Sequence, residues 1–135
     1  MAPATATVAQ IVSEPRIFSL QEARELFPLV RRITADASNE LEPVRHSFEN
    51  MLPTDPRLHA VEQKYEAVVR RWVAKMERLG LVVKGLWLVD FDTGDGCLCW
   101  KHPELNLGHF HDYDSGFDGR RRIAEVIEET APDWA

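Results

Sequence analysis

Residues 86–123 read LWLVDFDTGDGCLCWKHPELNLGHFHDYDSGFDGRRRI, and the division of this stretch into strands and turns decides the fold. Leu86–Phe91, Cys97–Lys101 and Leu107–Asp112 have the length and the bulky residues of strands. Asp92-Thr93-Gly94-Asp95-Gly96 is hairpin-turn chemistry, and Pro103 lies in the next connection. These features predict a three-stranded antiparallel β-meander. The stretch also holds two of the four tryptophans, both cysteines and three of the five histidines.

Upstream of the meander the periodicity changes from two to three-and-four. Ser19 with Glu22 three residues on forms a capping box, so a helix starts there. Pro28 is expected to kink it or split off a short first segment, and Pro43 to kink it again. From Val30 onward, Ile33, Ala37, Leu41, Val44, Phe48 and Met51 mark one helical face, with Pro43 inside the pattern. Leu52-Pro53-Thr54-Asp55-Pro56 is a turn, with Asp55 and Pro56 as N-cap and first helical residue of a second helix. Its stripe runs through Leu58, Val61, Tyr65, Val68, Trp72 and Leu79, and Gly80 supplies a left-handed stop. Two such helices joined by a short turn lie antiparallel. Downstream, Arg120 to about Thr130 reads as a short closing helix ended by Pro132. The expected class is α+β: a long antiparallel helical hairpin, a three-stranded meander and a short C-terminal helix. Residues 1–16 read as a flexible tail and 17–135 as a single α+β domain.

Net charge is −6 with a pI near 5.3, which argues against nucleic acid or an anionic membrane as the main partner. The charge is uneven: residues 57–84 carry seven Lys/Arg against three Asp/Glu, residues 85–135 four against eleven. Cys97 and Cys99 sit one residue apart, too close to bridge without strain, so reduced thiols in a cytoplasmic protein are expected. No apolar run approaches the ~20 residues of a membrane span, and the N-terminus lacks the pattern of a secretory signal.

With five-residue hairpin loops at 92–96 and 102–106, Phe91 faces Cys97, Val89 faces Cys99, Cys99 faces His109 and Cys97 faces His111. Side chains alternate across a sheet. Leu86, Leu88, Leu98, Trp100 and Phe110 then pack on the helices. The other face collects Trp87, Val89, Phe91, Cys97, Cys99, Lys101, His109 and His111. That second face is too apolar for open solvent and too polar for a core. Trp87, Val89, Phe91 and His109 on it are candidate interface residues.

Cys97, Cys99, His109 and His111 offer four ligands suited to zinc or another transition metal. Their spacing is not that of the common zinc modules, and four parallel side chains on flat strands converge poorly on one ion. The competing reading makes the cysteines small apolar fillers, with no cofactor.

The combination Phe18-Ser19-Leu20-Gln21-Glu22-Ala23, Leu26-Phe27-Pro28-Leu29, Leu79-Gly80, Val83-Lys84, Leu88-Val89-Asp90-Phe91, Leu98-Cys99-Trp100, Glu104, Gly108-His109-Phe110-His111, Gly116-Phe117 and Gly119-Arg120 resembles a bacterial family of domains of unknown function, number 2203. The resemblance covers about residues 17–123. It implies the architecture and no activity. Asp90, Cys99, Trp100, Glu104, His111, Gly116, Phe117 and Arg120 match the family's pattern, whereas Cys97 and His109 depart from it.

Asp90, Glu104, His111 and Arg120 form a candidate polar cluster. A carboxylate, an imidazole and a guanidinium together suit acid–base work or anion binding. They equally suit a salt-bridged clamp on the loop Tyr113–Gly119, and the lack of a nucleophile or phosphate loop favours the clamp. Arg120-Arg121-Arg122 is too short for a nucleic-acid tract. The function expected from sequence is a non-catalytic protein-interaction or structural module that self-associates through the Trp87 face or the hairpin. A homo-oligomer or an unidentified protein partner follows, with no nucleic acid and no membrane. The alternatives are a metal-binding protein using the Cys/His face, and an enzyme or anion-binding module using Glu104, His111 and Arg120.

Overall fold

Ser19 opens the first helix as the capping box requires: its Oγ accepts from the Glu22 N–H at 3.1 Å, and its own N–H donates to Glu22 Oε1 at 2.9 Å. Helix α1 (Leu20–Glu49) then runs for 30 residues in the computed structural model, which describes residues 15–135. The tail expected over 1–16 therefore falls outside the described residues up to position 14. Arg16 is fixed, its N–H on the Gly80 carbonyl and its guanidinium over the Phe18 ring.

Pro28 and Pro43 lie inside α1 without ending it, so no short first segment splits off. A helical proline costs about 3 kcal/mol through a lost hydrogen bond and a clash. Burial of Ala23, Phe27, Val30 and Thr34 around Pro28 offsets that cost. Asp55 stays in the turn, accepting from the Arg57 N–H at 2.9 Å, and α2 (Leu58–Arg78) begins two residues beyond Pro56. The end of α2 is the expected glycine stop. Gly80 has φ 89°, its N–H donates to Glu77 O, and the Leu81 N–H donates to Met76 O. The two helices pack antiparallel, pinned where buried Trp72 donates its Nε1–H to buried Thr34 Oγ1 at 2.9 Å.

The sheet has five strands rather than three, in sequential order and antiparallel throughout. They are β1 (Val82–Gly85), β2 (Leu88–Asp92), β3 (Cys97–Lys101), β4 (His109–His111) and β5 (Arg121–Arg122). β1 follows the helix stop directly, and β5 takes the first residues expected of the closing helix, which becomes α3 (Ile123–Thr130). The β3–β4 register is the expected one, Cys97 opposite His111 and Cys99 opposite His109.

The β2–β3 register is shifted by one residue. Asp92 pairs with Cys97, Phe91 with Leu98, Asp90 with Cys99 and Val89 with Trp100. The loop has four residues, because Asp92 closes the ladder and Thr93 folds over the turn. The Thr93 N–H and Oγ1–H both donate to Gly96 O, and Asp92 Oδ1 accepts from the Gly94 N–H. Gly96, at φ 145°, must be glycine, since a side chain there would run into the Phe110 ring.

A slip of one residue exchanges the faces of a strand. Val89, Phe91, Leu98, Trp100 and Phe110 therefore form the helix-facing layer, fully or nearly fully buried. Phe18 meets Phe91 edge-on, Phe27 meets Trp100, and Trp134 beyond α3 stacks on Phe110. The expected interface group is dispersed: Val89 and Phe91 are core. Trp87 stands in a left-handed turn at φ 61°, packed edge-on against Trp72. The outer layer instead collects Leu88, Asp90, Asp92, Cys97, Cys99, Lys101, His109 and His111. Among the described residues no helix is long and apolar enough to cross a membrane.

Candidate functional site

The corrected register places Asp90 directly across from Cys99. His111 lies one strand further, diagonal to Cys99, within side-chain reach. One ligand atom from each of these three residues lies within 4.8 Å of the other two, and all three residues are buried.

Two hydrogen bonds orient the imidazole. His111 Nδ1 is 2.8 Å from the Asp112 carbonyl oxygen, which can only accept, so Nδ1 carries a proton. Nε2 is 2.9 Å from Asp90 Oδ2, so the imidazole is fixed in plane with its second nitrogen aimed at the carboxylate. Asp90 is 0% exposed, and its Oδ1 has no hydrogen-bond partner among the described residues. The thiols of Cys97 and Cys99 lie against this carboxylate, and a thiol is a weak donor, so they offset its desolvation cost only in part.

Both thiols border this carboxylate. Burial, with the Asp90 charge next, pushes Cys97 and Cys99 each up to about 12. Lys84 partly opposes the shift at Cys97 and Arg120 at Cys99. In the metal-free protein neither is a thiolate at neutral pH, which removes the chemistry of an activated cysteine nucleophile. A coordinated ion reverses that balance, because a metal-bound thiol deprotonates. The trio and Cys97 form the floor of a cleft of about 350 Å³, with Lys84, Tyr113 and Phe117 on its walls.

Glu104 and Arg120 are engaged with each other. The guanidinium donates to both carboxylate oxygens, at 2.9 and 2.8 Å, and Glu104 Oε1 also accepts from the Lys101 N–H. Burial pushes the Glu104 carboxyl up, but the Arg120 hydrogen bonds and the Lys101 N–H outweigh it and hold it below its usual range. The Phe117 ring lies 4.0 Å from the Arg120 guanidinium carbon and also faces Lys101 Nζ. This bidentate pair ties the loop over Tyr113–Gly119 to the β3–β4 connection.

The expected polar cluster is thus two pairs, Asp90–His111 and Glu104–Arg120, with Cys99 between Asp90 and Arg120. His111 lines the thiol cleft, whereas Glu104 borders a separate surface hollow with His109 and Arg122. Of the expected metal quartet Cys97, Cys99, His109 and His111, all four share the outer face, but only Cys99 and His111 converge. Asp90 completes the group. The sequence pattern already groups Asp90 with His111 in the polar cluster, but a five-residue loop puts it on the face opposite Cys99 and so leaves it out of the metal quartet; the signal lay in counting Asp92 into the strand.

The chain belongs to a family described as "Uncharacterized conserved protein (DUF2203)", whose pattern matches residues 16–123. No curated protein and no solved structure matches it. The match ends at Ile123, the first residue of α3, so Trp134 and most of that helix lie beyond it.

Proposed function

We propose that this protein binds a divalent transition metal through the Asp90 carboxylate, the Cys99 sulfur and His111 Nε2. The carrying observation is the fully buried Asp90 carboxylate, whose Oδ1 has no nitrogen or hydroxyl donor among the described residues, beside a thiol and an imidazole whose other nitrogen is anchored on a carbonyl. An imidazole held by a backbone acceptor at one nitrogen and presented at the other is the arrangement metal-ligating histidines adopt. A carboxylate, a thiolate and an imidazole together suit zinc, ferrous iron or cobalt better than magnesium or calcium. Zinc donors at about 2.0–2.3 Å from the ion lie within ~4 Å of each other, so rotamer-scale adjustment of the trio suffices.

The three residues hold and orient the ion, and the cleft supplies access. When bound, such an ion acts as a Lewis acid on whatever occupies its remaining position. Cobalt(II) added to untagged, metal-stripped protein is expected to give visible ligand-field bands and near-ultraviolet sulfur-to-cobalt charge transfer. Cys99→Ser removes the charge transfer, and His111→Ala weakens binding beyond the ~10–100-fold typical of an outer-shell partner. Folded protein that gives no bands, or sulfur-to-cobalt charge transfer that survives Cys99→Ser, contradicts the proposal.

Self-association through the hairpin has separate support. Phe48 packs on Tyr65 near the end of the hairpin away from the sheet, and Leu52 there is 71% exposed. Light scattering after size-exclusion chromatography is expected to show a dimer that Leu52→Asp converts to monomer. A monomer at all concentrations argues against it.

A further inference from the structure

Three converging donors leave a four-coordinate ion one position short, and all three residues line the cleft. Catalytic zinc sites share this count of three protein ligands and one exchangeable position. Resting on the metal reading above, we infer that the remaining position opens into the cleft and takes a carboxylate oxygen of a small organic acid, with Lys84 as its counter-charge.

Charge decides the class of ligand. The Asp90 carboxylate and a Cys99 thiolate neutralise a divalent ion, and His111 adds no charge, so the centre is neutral. Lys84 lines the cleft and has no carboxylate within ion-pair distance among the described residues. Asp92, the other carboxylate of this face, accepts from the Tyr113 hydroxyl and the Gly94 N–H and is held in those bonds. Arg120 is engaged by Glu104. One available cation beside a neutral centre fits a monoanion. A phosphate dianion calls for an arginine fork or a helix N-terminus, and the cleft lining supplies neither. Leu88 and Phe117 give the apolar wall that an organic body needs. At about 350 Å³ the cleft is at the small end of such sites.

Cys97 is the competitor for the same position. It lies on the cleft floor but outside the converging trio. The test uses the full chain loaded with cobalt(II) and titrated with acetate, benzoate or inorganic phosphate. Benzoate is expected to shift the ligand-field bands saturably. Lys84→Gln weakens that titration about tenfold, the scale of one charge-assisted hydrogen bond, in protein that still gives the cobalt bands. Cys97→Ser leaves the acid-free spectrum unchanged. Cobalt bands that respond to phosphate alone, or to no anion, overturn the inference and leave the metal site standing. Loss of sulfur-to-cobalt intensity in Cys97→Ser also overturns it, since Cys97 then fills the position. Absence of cobalt bands altogether removes the metal reading and this inference with it.

Discussion

The two faces of strands β2 to β4 bury different chemistry, although the outer face leaves Lys101 exposed and Leu88, Asp92 and His109 half-buried. Toward the helices lie Val89, Phe91, Leu98, Trp100 and Phe110, and toward the cleft lie Asp90, Cys97, Cys99 and His111. Burial of the first set is favourable in itself, at roughly 25 cal/mol per Å² of apolar surface. Burial of the second is unfavourable until each polar atom finds a partner, and Asp90 Oδ1 has no nitrogen or hydroxyl donor among the described residues, only weakly donating thiols nearby. The helix-facing layer therefore holds the fold together. The cleft-facing layer is retained at a cost, which points to a role other than stability.

This contrast breaks first, and most heavily, at Trp100. Its ring packs on Phe27, and Trp100→Ala is expected to cost about 3–5 kcal/mol in urea denaturation. A loss under 1 kcal/mol shows that the helix-facing layer is not the core. On the opposite face Asp90→Asn preserves shape, so metal-free stability is expected to change by no more than about 1–2 kcal/mol. Cobalt affinity falls by more than ~100-fold, beyond an outer-shell effect. A variant that unfolds with metal affinity intact reverses the assignment.

A smaller effect sharpens the boundary of the cleft. The Glu104 carboxyl is held below its ordinary 4.5, so the stability it contributes is present above that pH and is lost as pH falls through the lowered value. Glu104→Gln is expected to cost about 1–2 kcal/mol at pH 7, with wild type and variant converging in acid. A difference that persists below the lowered value contradicts this. The smallest effect is at Tyr113, where the hydrogen bond to Asp92, with burial next, pushes the phenol up to about 12. With only two tyrosines in the chain, ultraviolet titration resolves it. Asp92→Asn is expected to bring that step down toward the ordinary phenol value of 10.0, and an unmoved step shows that the Asp92 contact is not its cause.

Two helix signals were legible because they are local, whereas the Asp55–Pro56 start was not, the second helix beginning at Leu58. The Ser19–Glu22 box and the Gly80 stop are set by residues within one turn, and both stand where the spacing puts them. The span of β3 and the β3–β4 register were legible too. The β2–β3 register was not, because Asp92 suits the last position of a strand and the first of a turn equally. Only the Thr93–Gly96 contacts and the Ile17–Asp92 bridge, which is remote in sequence, decide between them. That one residue moved Asp90 to the cleft and Val89 and Phe91 to the core. β1 and β5 were missed since Val82–Gly85 and Arg121–Arg122 are too short to show alternation, and Trp87 because a left-handed turn is not written in a bulky aromatic residue.

X-ray absorption at the zinc edge on the loaded, untagged protein bears most directly on the claim that the polar face of the sheet holds a metal. One sulfur at about 2.3 Å with nitrogen and oxygen neighbours at about 2.0–2.2 Å is the predicted shell, and Cys99→Ser deletes the sulfur from it. A shell with no sulfur in the wild-type protein contradicts the account.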